Sequence, residues 1–156
     1  MPFNFSASHL TFDDEFNSFG GWDTTIFGSR SLPGNQGQEY YSDSSVGVDP
    51  FTLQNGELTI TAAPGPAPNG LTYDSGVITT LGHFSQTYGY FEERAELPSG
   101  VGMWPGFWLL PTSQAWPPEI DILEAFGAPA ADGQGGSNMV HVNAISSIAG
   151  QGGGEW

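Results

Sequence analysis

The chain has 156 residues, which is the length of one domain or of part of one. Its seventeen acidic residues and only two basic ones give a net charge of -15, so we expect no nucleic-acid or membrane partner, because phosphate backbones and anionic bilayers would repel it. The five Trp, five Tyr and eleven Phe argue against a disordered chain, and the lack of cysteine excludes disulfides and thiolate metal sites.

The first half of the chain contains short alternating segments separated by turn residues. Residues 51–53 and 57–62 flank Asn55 and Gly56, and this Asn-Gly pair readily adopts the positive φ angles of a tight hairpin turn. Three prolines and two glycines within residues 64–70 predict a loop. The β-branched residues that follow predict an extended segment over residues 75–80.

The longest strand candidate lies in the second half, at residues 88–97. Strict alternation would place Glu92 and Arg94 on one face of that strand, with Phe91, Glu93, Ala95 and Leu97 on the other. The apolar run at residues 107–110 is typical of a sandwich core, and we assign Trp108 to that core rather than to a site.

Two more strands, predicted at residues 119–125 and 139–145, complete a spacing typical of an all-β sandwich. The chain then ends in a glycine-rich segment, residues 150–156, although sandwiches often run to about 200–250 residues. We therefore expect the sandwich to be incomplete at its C-terminus. The N-terminus lacks a basic region followed by an apolar run, so a secretion signal would have to lie outside this sequence.

An acidic cluster is the most informative feature of the sequence. On a regular strand Glu119 and Asp121 point to one face, with Ile120 and Ile122 buried behind them, while Glu124 points the opposite way. A bulge near Ile122 and Leu123 adds one residue to the strand and returns Glu124 to the face of the other two acids. The pattern therefore predicts three carboxyl groups on one short stretch of sheet.

Crowded carboxyls suit acid–base chemistry, because like charges raise at least one pKa and let one group stay protonated while another is ionised. Retaining glycoside hydrolysis needs that division between an ionised nucleophile and a protonated acid about 5–5.5 Å apart. Two other interpretations stay open on the triplet alone. The acids could form a solvated strand face, or their oxygens could bind calcium.

Residues 119–124, Glu-Ile-Asp-Ile-Leu-Glu, resemble the catalytic signature of the family 16 glycoside hydrolases in its bulged, six-residue form. Three other segments resemble the family's early hairpin, the strand before the catalytic one, and the tryptophan-rich segment leading into it, namely residues 55–62, 88–98 and 102–111. Together these matches extend over most of the chain and are jointly specific, whereas each one alone would be weak.

This resemblance implies a concanavalin-like jelly-roll β-sandwich of two curved antiparallel sheets with a glycan cleft on the concave face. By the same resemblance Glu119 would be the nucleophile and Glu124 the general acid and then the base. Asp121 would maintain protonation and geometry by hydrogen-bonding towards the nucleophile. The bulged form is typical of the laminarinase-like branch, which favours β-1,3-glucans, whereas the unbulged form marks the bacterial lichenase branch.

Five further residues are substrate-binding candidates. In the family, the positions of Glu92 and Arg94 hold sugar near the cleavage point, although Arg94 could instead form a structural ion pair with a neighbouring glutamate. Trp104 and Trp116 flank the acids and could stack on sugar rings. His141 resembles a histidine found near the nucleophile in many relatives, although a purely structural histidine is an open alternative.

We therefore expect residues 1–156 to be the N-terminal portion of one glycoside hydrolase catalytic domain. It would be a secreted, monomeric, retaining endo-β-glucanase acting on β-1,3 or mixed β-1,3/1,4 polysaccharide. A non-catalytic glycan-binding module and a transglycosylase are the alternatives. The chemistry requires no cofactor or metal. The family often carries a structural calcium on its convex side, to which residues 13–15, Asp-Asp-Glu, could contribute.

Overall fold

The computed structural model describes residues 5–32, 37–127, 136 and 138–146. These ranges contain eight short strands and two single turns of 3-10 helix, which confirms the predicted all-β class. The chain forms two compact units, Met1–Gln86 and Thr87–Trp156. Neither helical turn in the described ranges is long and apolar enough to cross a membrane. The predicted glycine-rich end, residues 150–156, lies outside the described residues.

The described part of the first unit contains five strands in two sheets. They are β1 (Glu39–Tyr41), β2 (Phe51–Gln54), β3 (Glu57–Ile60), β4 (Ala63–Pro64) and β5 (Tyr73–Ser75). Strands β2 and β3 form an antiparallel hairpin in which Leu53 faces Leu58. Asn55 and Gly56 connect them with φ angles of 55° and 76°, which confirms the predicted tight turn.

The other sheet of this unit is mixed rather than antiparallel. Strand β1 pairs in parallel with β5, and β5 pairs antiparallel with β4. The expectation of purely antiparallel sheets is wrong here, because the long connection through the β2–β3 hairpin lets β5 run in the direction of β1. Of the extended segment predicted over residues 75–80, only Ser75 belongs to a strand, and Thr79 forms an isolated bridge with Asp23.

One of the two arginines has a structural position in the first unit. Arg30 Nη2 lies 2.8 Å from Asp43 Oδ2, and Arg30 Nη1 donates to the carbonyl oxygen of Tyr41 at 2.9 Å. Asp43 also accepts a hydrogen bond from the backbone of Ser45 and so caps the 3-10 turn Ser44–Val46. This ion pair therefore fixes the end of β1 against a neighbouring loop.

The second unit contains an antiparallel sheet in the order β6 (Gly106–Leu109), β7 (Glu119–Glu124) and β8 (His141–Ile145). The three strands lie where the sequence predicts them. Strand β7 occupies the centre, so its side chains have neighbours on both sides. This sheet presents one face with the acidic side chains, called here the acidic face, and an opposite face that is mainly apolar.

The predicted strand at residues 88–97 is absent from the structure. Six residues of this segment, 90–93 with Ala95 and Leu97, line a cavity of about 310 Å³ together with Phe107 of β6 and with Ile122 and Leu123 of β7. Residues of both predicted faces of this segment therefore line the cavity, so the expected alternation is not seen. A strand needs a hydrogen-bonded partner, and none pairs with this segment among the described residues.

Ile120 is also less covered than expected. Its side chain is 49% exposed, although the sequence pattern predicts burial behind the acids. Ile120 lies opposite Leu109 on β6 and opposite Ala144 on β8. The short side chain of Ala144 covers little of it, which leaves this part of the apolar face open among the described residues.

Candidate active site

A β-bulge in the central strand determines the direction of the acidic side chains. Along β6, Phe107 lies opposite Leu123 and the next residue, Trp108, lies opposite Asp121. Ile122 is therefore the extra residue of β7, at the position where the sequence predicts a bulge. The predicted bulge is confirmed.

The pairing with β8 shows the same extra residue from the other side. Asp121 lies opposite Asn143, and Glu124 lies opposite His141, so three steps along β7 match two steps along β8. Because directly opposed residues of an antiparallel pair share a face, Glu124 lies on the same face as Asp121. Glu119 is two residues before Asp121 on the regular part of the strand and shares that face.

Glu119 combines partial burial with two hydrogen bonds. The indole Nε1 of Trp116 donates to Glu119 Oε2, and the carboxyl groups of Glu119 and Asp121 hydrogen-bond each other. Burial, reinforced by Asp121 and by the charge of Glu124, raises the pKa of Glu119 to about 7, although the Trp116 bond opposes the increase. A proton can therefore reside on this carboxyl near neutral pH.

Asp121 lies at the centre of the cluster and is only 3% exposed. A hydrogen bond between two carboxyl groups requires that one of them carry a proton. Asp121 and Glu119 can therefore share one proton across this hydrogen bond.

Both carboxyl oxygens of Glu124 accept hydrogen bonds. Trp104 Nε1 donates to Oε1 at 2.9 Å, and Asn143 Nδ2 donates to Oε2 at 3.0 Å. Burial and the charge of Asp121 raise the pKa of Glu124 above its usual value, whereas the two donors and His141 oppose that increase. The site thus holds a second carboxyl that favours protonation.

Aromatic rings border the acidic face. The rings of Trp104 and Phe126 lie 5.3 Å apart, and those of Phe126 and His141 lie 5.1 Å apart. Trp104 is 40% exposed and Trp116 is 62% exposed, so each retains ring surface that could contact a ligand. The structure therefore brings three predicted binding residues, Trp104, Trp116 and His141, to the acidic cluster.

The other two binding candidates lie apart from these contacts. Glu92 and Arg94 are exposed and belong to the segment that forms no strand, and Glu92 hydrogen-bonds to the hydroxyl of Tyr90. The Arg30–Asp43 pair is the single ion pair in the described part of the chain, so the structural ion pair considered for Arg94 is not formed there. Their role in sugar binding stays a prediction.

Sequence reasoning missed two residues of the acidic face. Trp108 was assigned to the core, but it lies opposite Asp121 and therefore shares the face of that carboxyl. Asn143 is not among the predicted site residues, although it follows His141 by two positions and an alternating strand places both on one face. Strand parity, applied to β6 and β8 as it was to β7, would have found both.

The structure gives limited support for a metal. No group of three or more His, Asp or Glu side chains is arranged to hold a metal ion among the described residues. Asp14, one of the acids considered for calcium, accepts hydrogen bonds from Phe16 N at 2.7 Å and from Trp22 Nε1 at 2.7 Å. The contribution of residues 13–15 to a calcium site stays a prediction.

Residues 38–152 match the profile of the family described as glycosyl hydrolases family 16. The chain is 43% identical over 142 residues to endo-1,3-1,4-beta-glycanase ExsH of Rhizobium meliloti (strain 1021), which covers 78% of this chain and 30% of that protein. It is 39% identical over 137 residues to endo-1,3-1,4-beta-glycanase EglC of the same organism, covering 75% and 30%. It is 38% identical over 130 residues to a beta-glucanase of Rhodothermus marinus, covering 76% and 44%.

No solved structure matches the chain. The chain spans less than half the length of each of these three relatives. The profile match nevertheless covers well over half of the chain and includes all three strands of the acidic sheet. The strand-rich structure agrees with the jelly-roll fold expected for that family. The chain belongs to the family 16 glycosyl hydrolases.

Proposed function

We propose that this chain carries the catalytic carboxyls of an endo-acting, retaining β-glucan hydrolase. The observation that carries the proposal is the bulge at Ile122, which brings Glu124 to the face of Glu119 and Asp121. A surface strand of solvated acids would not need a buried aspartate hydrogen-bonded to a neighbouring carboxyl. Such crowding is unfavourable unless the shared proton is used.

In the first step, the ionised carboxylate of Glu119 attacks the anomeric carbon of the sugar. The bond from that carbon to the glycosidic oxygen breaks, and a bond to a Glu119 oxygen forms. Glu124 transfers its proton to the departing oxygen, so the leaving chain departs as an alcohol. Asp121 retains the proton that it shares with Glu119 and thereby keeps the nucleophile ionised.

In the second step, the roles of the acid and base reverse. Glu124, now ionised, takes a proton from water as the water oxygen attacks the anomeric carbon. The ester to Glu119 breaks, Glu119 leaves as a carboxylate, and Glu124 is protonated again. Two inversions give net retention of the β configuration. A sugar hydroxyl in place of water would give transglycosylation by the same chemistry.

The substrate proposal rests on relatives and on ring surfaces. Two similar proteins are named endo-1,3-1,4-beta-glycanases and a third a beta-glucanase, which supports a β-glucan with β-1,3 or mixed linkages. Exposed faces of Trp104 and Trp116 beside the acids suit the C–H faces of sugar rings. The hydroxyl groups of the same glucan are proposed to bind Glu92, Arg94 and His141.

We propose the wider setting from the same family membership. Residues 1–156 would be the N-terminal portion of a single catalytic domain in an exported, monomeric enzyme whose partner is polysaccharide. The carboxyl groups supply both the nucleophile and the acid, so the mechanism uses no cofactor. A structural calcium would act on stability and not on the bond-breaking steps.

Release of reducing sugar from laminarin and lichenan tests the hydrolase proposal. Glu119→Gln and Glu124→Gln should lose turnover by at least about 100-fold, whereas Glu57→Gln, an exposed acid on β3, should retain it. Proton NMR of the first product should show the β anomer. Binding of the glucan to a gel that carries the protein, without any cleavage, would instead favour the glycan-binding module. An α anomer would contradict the retaining mechanism.

A further inference from the structure

The two donors that hold Glu124 differ sharply in their surroundings. Asn143 donates to Oε2 from the middle of β8 and is 9% exposed. Trp104 donates to Oε1 from a loop before β6 and is 40% exposed. The two oxygens of one carboxyl are therefore engaged from a buried side and from an open side.

We propose that Asn143 is a positioning residue that holds Oε2 of Glu124 throughout the reaction, so that Oε1 is the oxygen that delivers the proton. This inference rests on the proposed function, because it assigns Glu124 as the acid and base. It adds a residue outside the acidic triplet and a role for each oxygen of Glu124.

Hydrogen-bond chemistry explains why Asn143 can keep its contact. An amide N–H donates well to a carboxylate oxygen and to the carbonyl oxygen of a carboxylic acid, but poorly to the hydroxyl oxygen of that acid. If the proton resides on Oε1, then Oε2 is a good acceptor in both protonation states. The Asn143 bond can therefore persist while the proton leaves Oε1 and returns.

Access gives the same assignment. A glycosidic oxygen must come within hydrogen-bond distance of the oxygen that protonates it. Oε2 faces the nearly buried Asn143, whereas Oε1 faces the half-exposed indole of Trp104, beside which a sugar ring could bind. The Trp104 hydrogen bond weakens when Oε1 carries the proton. The Trp104 bond therefore changes strength during the proposed reaction, whereas the Asn143 bond does not.

The charged groups around Glu124 allow the effect of Asn143 on the Glu124 pKa to be measured. Asp121, on the same strand, raises the pKa of Glu124, and His141 on β8 opposes it. Glu119 is the third titratable group nearby, since its own pKa responds to the charge of Glu124. From β6, Gly106 lies opposite Glu124 and that strand contributes no titratable side chain. Loss of the Asn143 donor should therefore raise the Glu124 pKa.

Carbon-13 NMR of glutamate carboxyls in the full chain tests the positioning role without relying on turnover. Glu124→Gln identifies the Glu124 resonance. Asn143→Leu removes the donor at similar size and should raise the Glu124 pKa by about half a unit or more. Asn143→Asp keeps the shape and adds a negative charge, so it should raise that pKa further. Val142→Ala, on the other face of β8, should leave it unchanged.

Kinetics with two leaving groups test the assignment of Oε1. Asn143→Leu should lower kcat/KM on laminarin about 10- to 100-fold, because the acid loses its orientation. The kcat/KM on a dinitrophenyl β-glycoside of a glucan oligosaccharide should change less than about threefold, since that leaving group needs no proton. A higher kcat/KM of the Asn143→Leu variant on laminarin would mean that Oε2 carries the proton, and it would overturn the assignment.

The two proposals fail in different ways. If neither substrate is cleaved by the unaltered chain, the proposed function fails, whereas the NMR titration still decides whether Asn143 controls the Glu124 carboxyl. An unchanged Glu124 pKa in both Asn143 variants, with a lowered melting temperature, would show a merely structural residue and overturn the inference. Equal losses of kcat/KM on both substrates would also overturn it.

Discussion

Glu119 illustrates how a single buried carboxyl links protonation to stability. Its folded-state pKa of about 7 lies above the usual 4.5, so between those pH values the folded chain holds a proton that the unfolded chain has released. The free energy of unfolding should therefore fall as pH rises from 4.5 to 7, and no penalty should remain below 4.5.

Glu119→Gln removes this titration while keeping the shape of the protonated acid. We expect the variant and the unaltered chain to melt at the same temperature at pH 4, with the variant higher by a few degrees above pH 7. Thermal melts followed by circular dichroism at half-unit pH intervals measure the difference. A gap that is constant across the pH range would mean that Glu119 does not titrate in this window.

The two tryptophans should affect opposite limbs of the pH–rate profile. Trp116 lowers the pKa of Glu119 and Trp104 lowers that of Glu124. In the proposed mechanism, activity on the acidic side requires ionised Glu119, so Trp116→Phe should move the acidic limb of kcat/KM upward by up to about one unit. Activity on the alkaline side would require protonated Glu124, so Trp104→Phe should move the alkaline limb upward.

These two variants serve as controls for each other, because phenylalanine keeps a smaller aromatic ring for stacking and loses the N–H donor. The pH–rate profiles on the same laminarin solution distinguish a change in stacking from the loss of the N–H donor. A change in sugar stacking would alter KM without moving either limb of the profile. Movement of both limbs in both variants would contradict the separate contacts seen in the structure.

At the level of elements, the bulge in β7 predicts that one residue can be removed from the strand without turning Glu124 to the other face. Deleting Ile122 leaves Glu-Ile-Asp-Leu-Glu, in which regular alternation places all three acids on one face. Glu124 would remain opposite His141, because the deletion removes the extra step of β7 relative to β8. We expect the deletion variant to retain turnover within about tenfold of the unaltered chain.

An insertion provides the matched contrast. One alanine added between Asp121 and Ile122 places Glu124 four residues after Asp121. With the bulge retained, the Glu124 carboxyl turns towards the apolar face; with a regular strand it keeps its face but lies about 7 Å further along, beyond His141. Turnover should then fall by at least about 100-fold, as expected for loss of a general acid. Reducing-sugar assays on both variants measure the difference. Equal activities in the deletion and insertion variants would mean that the bulge does not orient Glu124.

The same elements show what local sequence can predict. The Asn55-Gly56 turn and the parity of β7 have local causes, and both predictions are confirmed. The parallel pairing of β1 with β5 and the missing strand at residues 88–97 depend on which distant segment supplies a hydrogen-bonded neighbour. Asn143 could have been predicted by parity from His141, but its bond to Glu124 depends on the register between two strands.

At the scale of the whole molecule, the charge of -15 should influence which glycans the proposed hydrolase accepts. A neutral glucan meets no long-range repulsion, whereas a polyanionic one approaches a surface of the same sign, and salt screens that repulsion. The acidic face adds its own negative potential at the proposed glucan site, because Glu124 and Glu119 would each be ionised for part of the proposed reaction.

We therefore expect laminarin to be cleaved faster than its carboxymethylated form at low ionic strength, with the deficit appearing in kcat/KM. Raising sodium chloride to about 0.5 M reduces the Debye length to a few ångströms. This should reduce the difference in kcat/KM between the two substrates severalfold and leave the rate on neutral laminarin nearly unchanged. Glu57→Gln and other single changes to exposed acids should have little effect, since the field comes from the total charge. A deficit that is independent of salt would place the discrimination in steric contacts of the cleft instead.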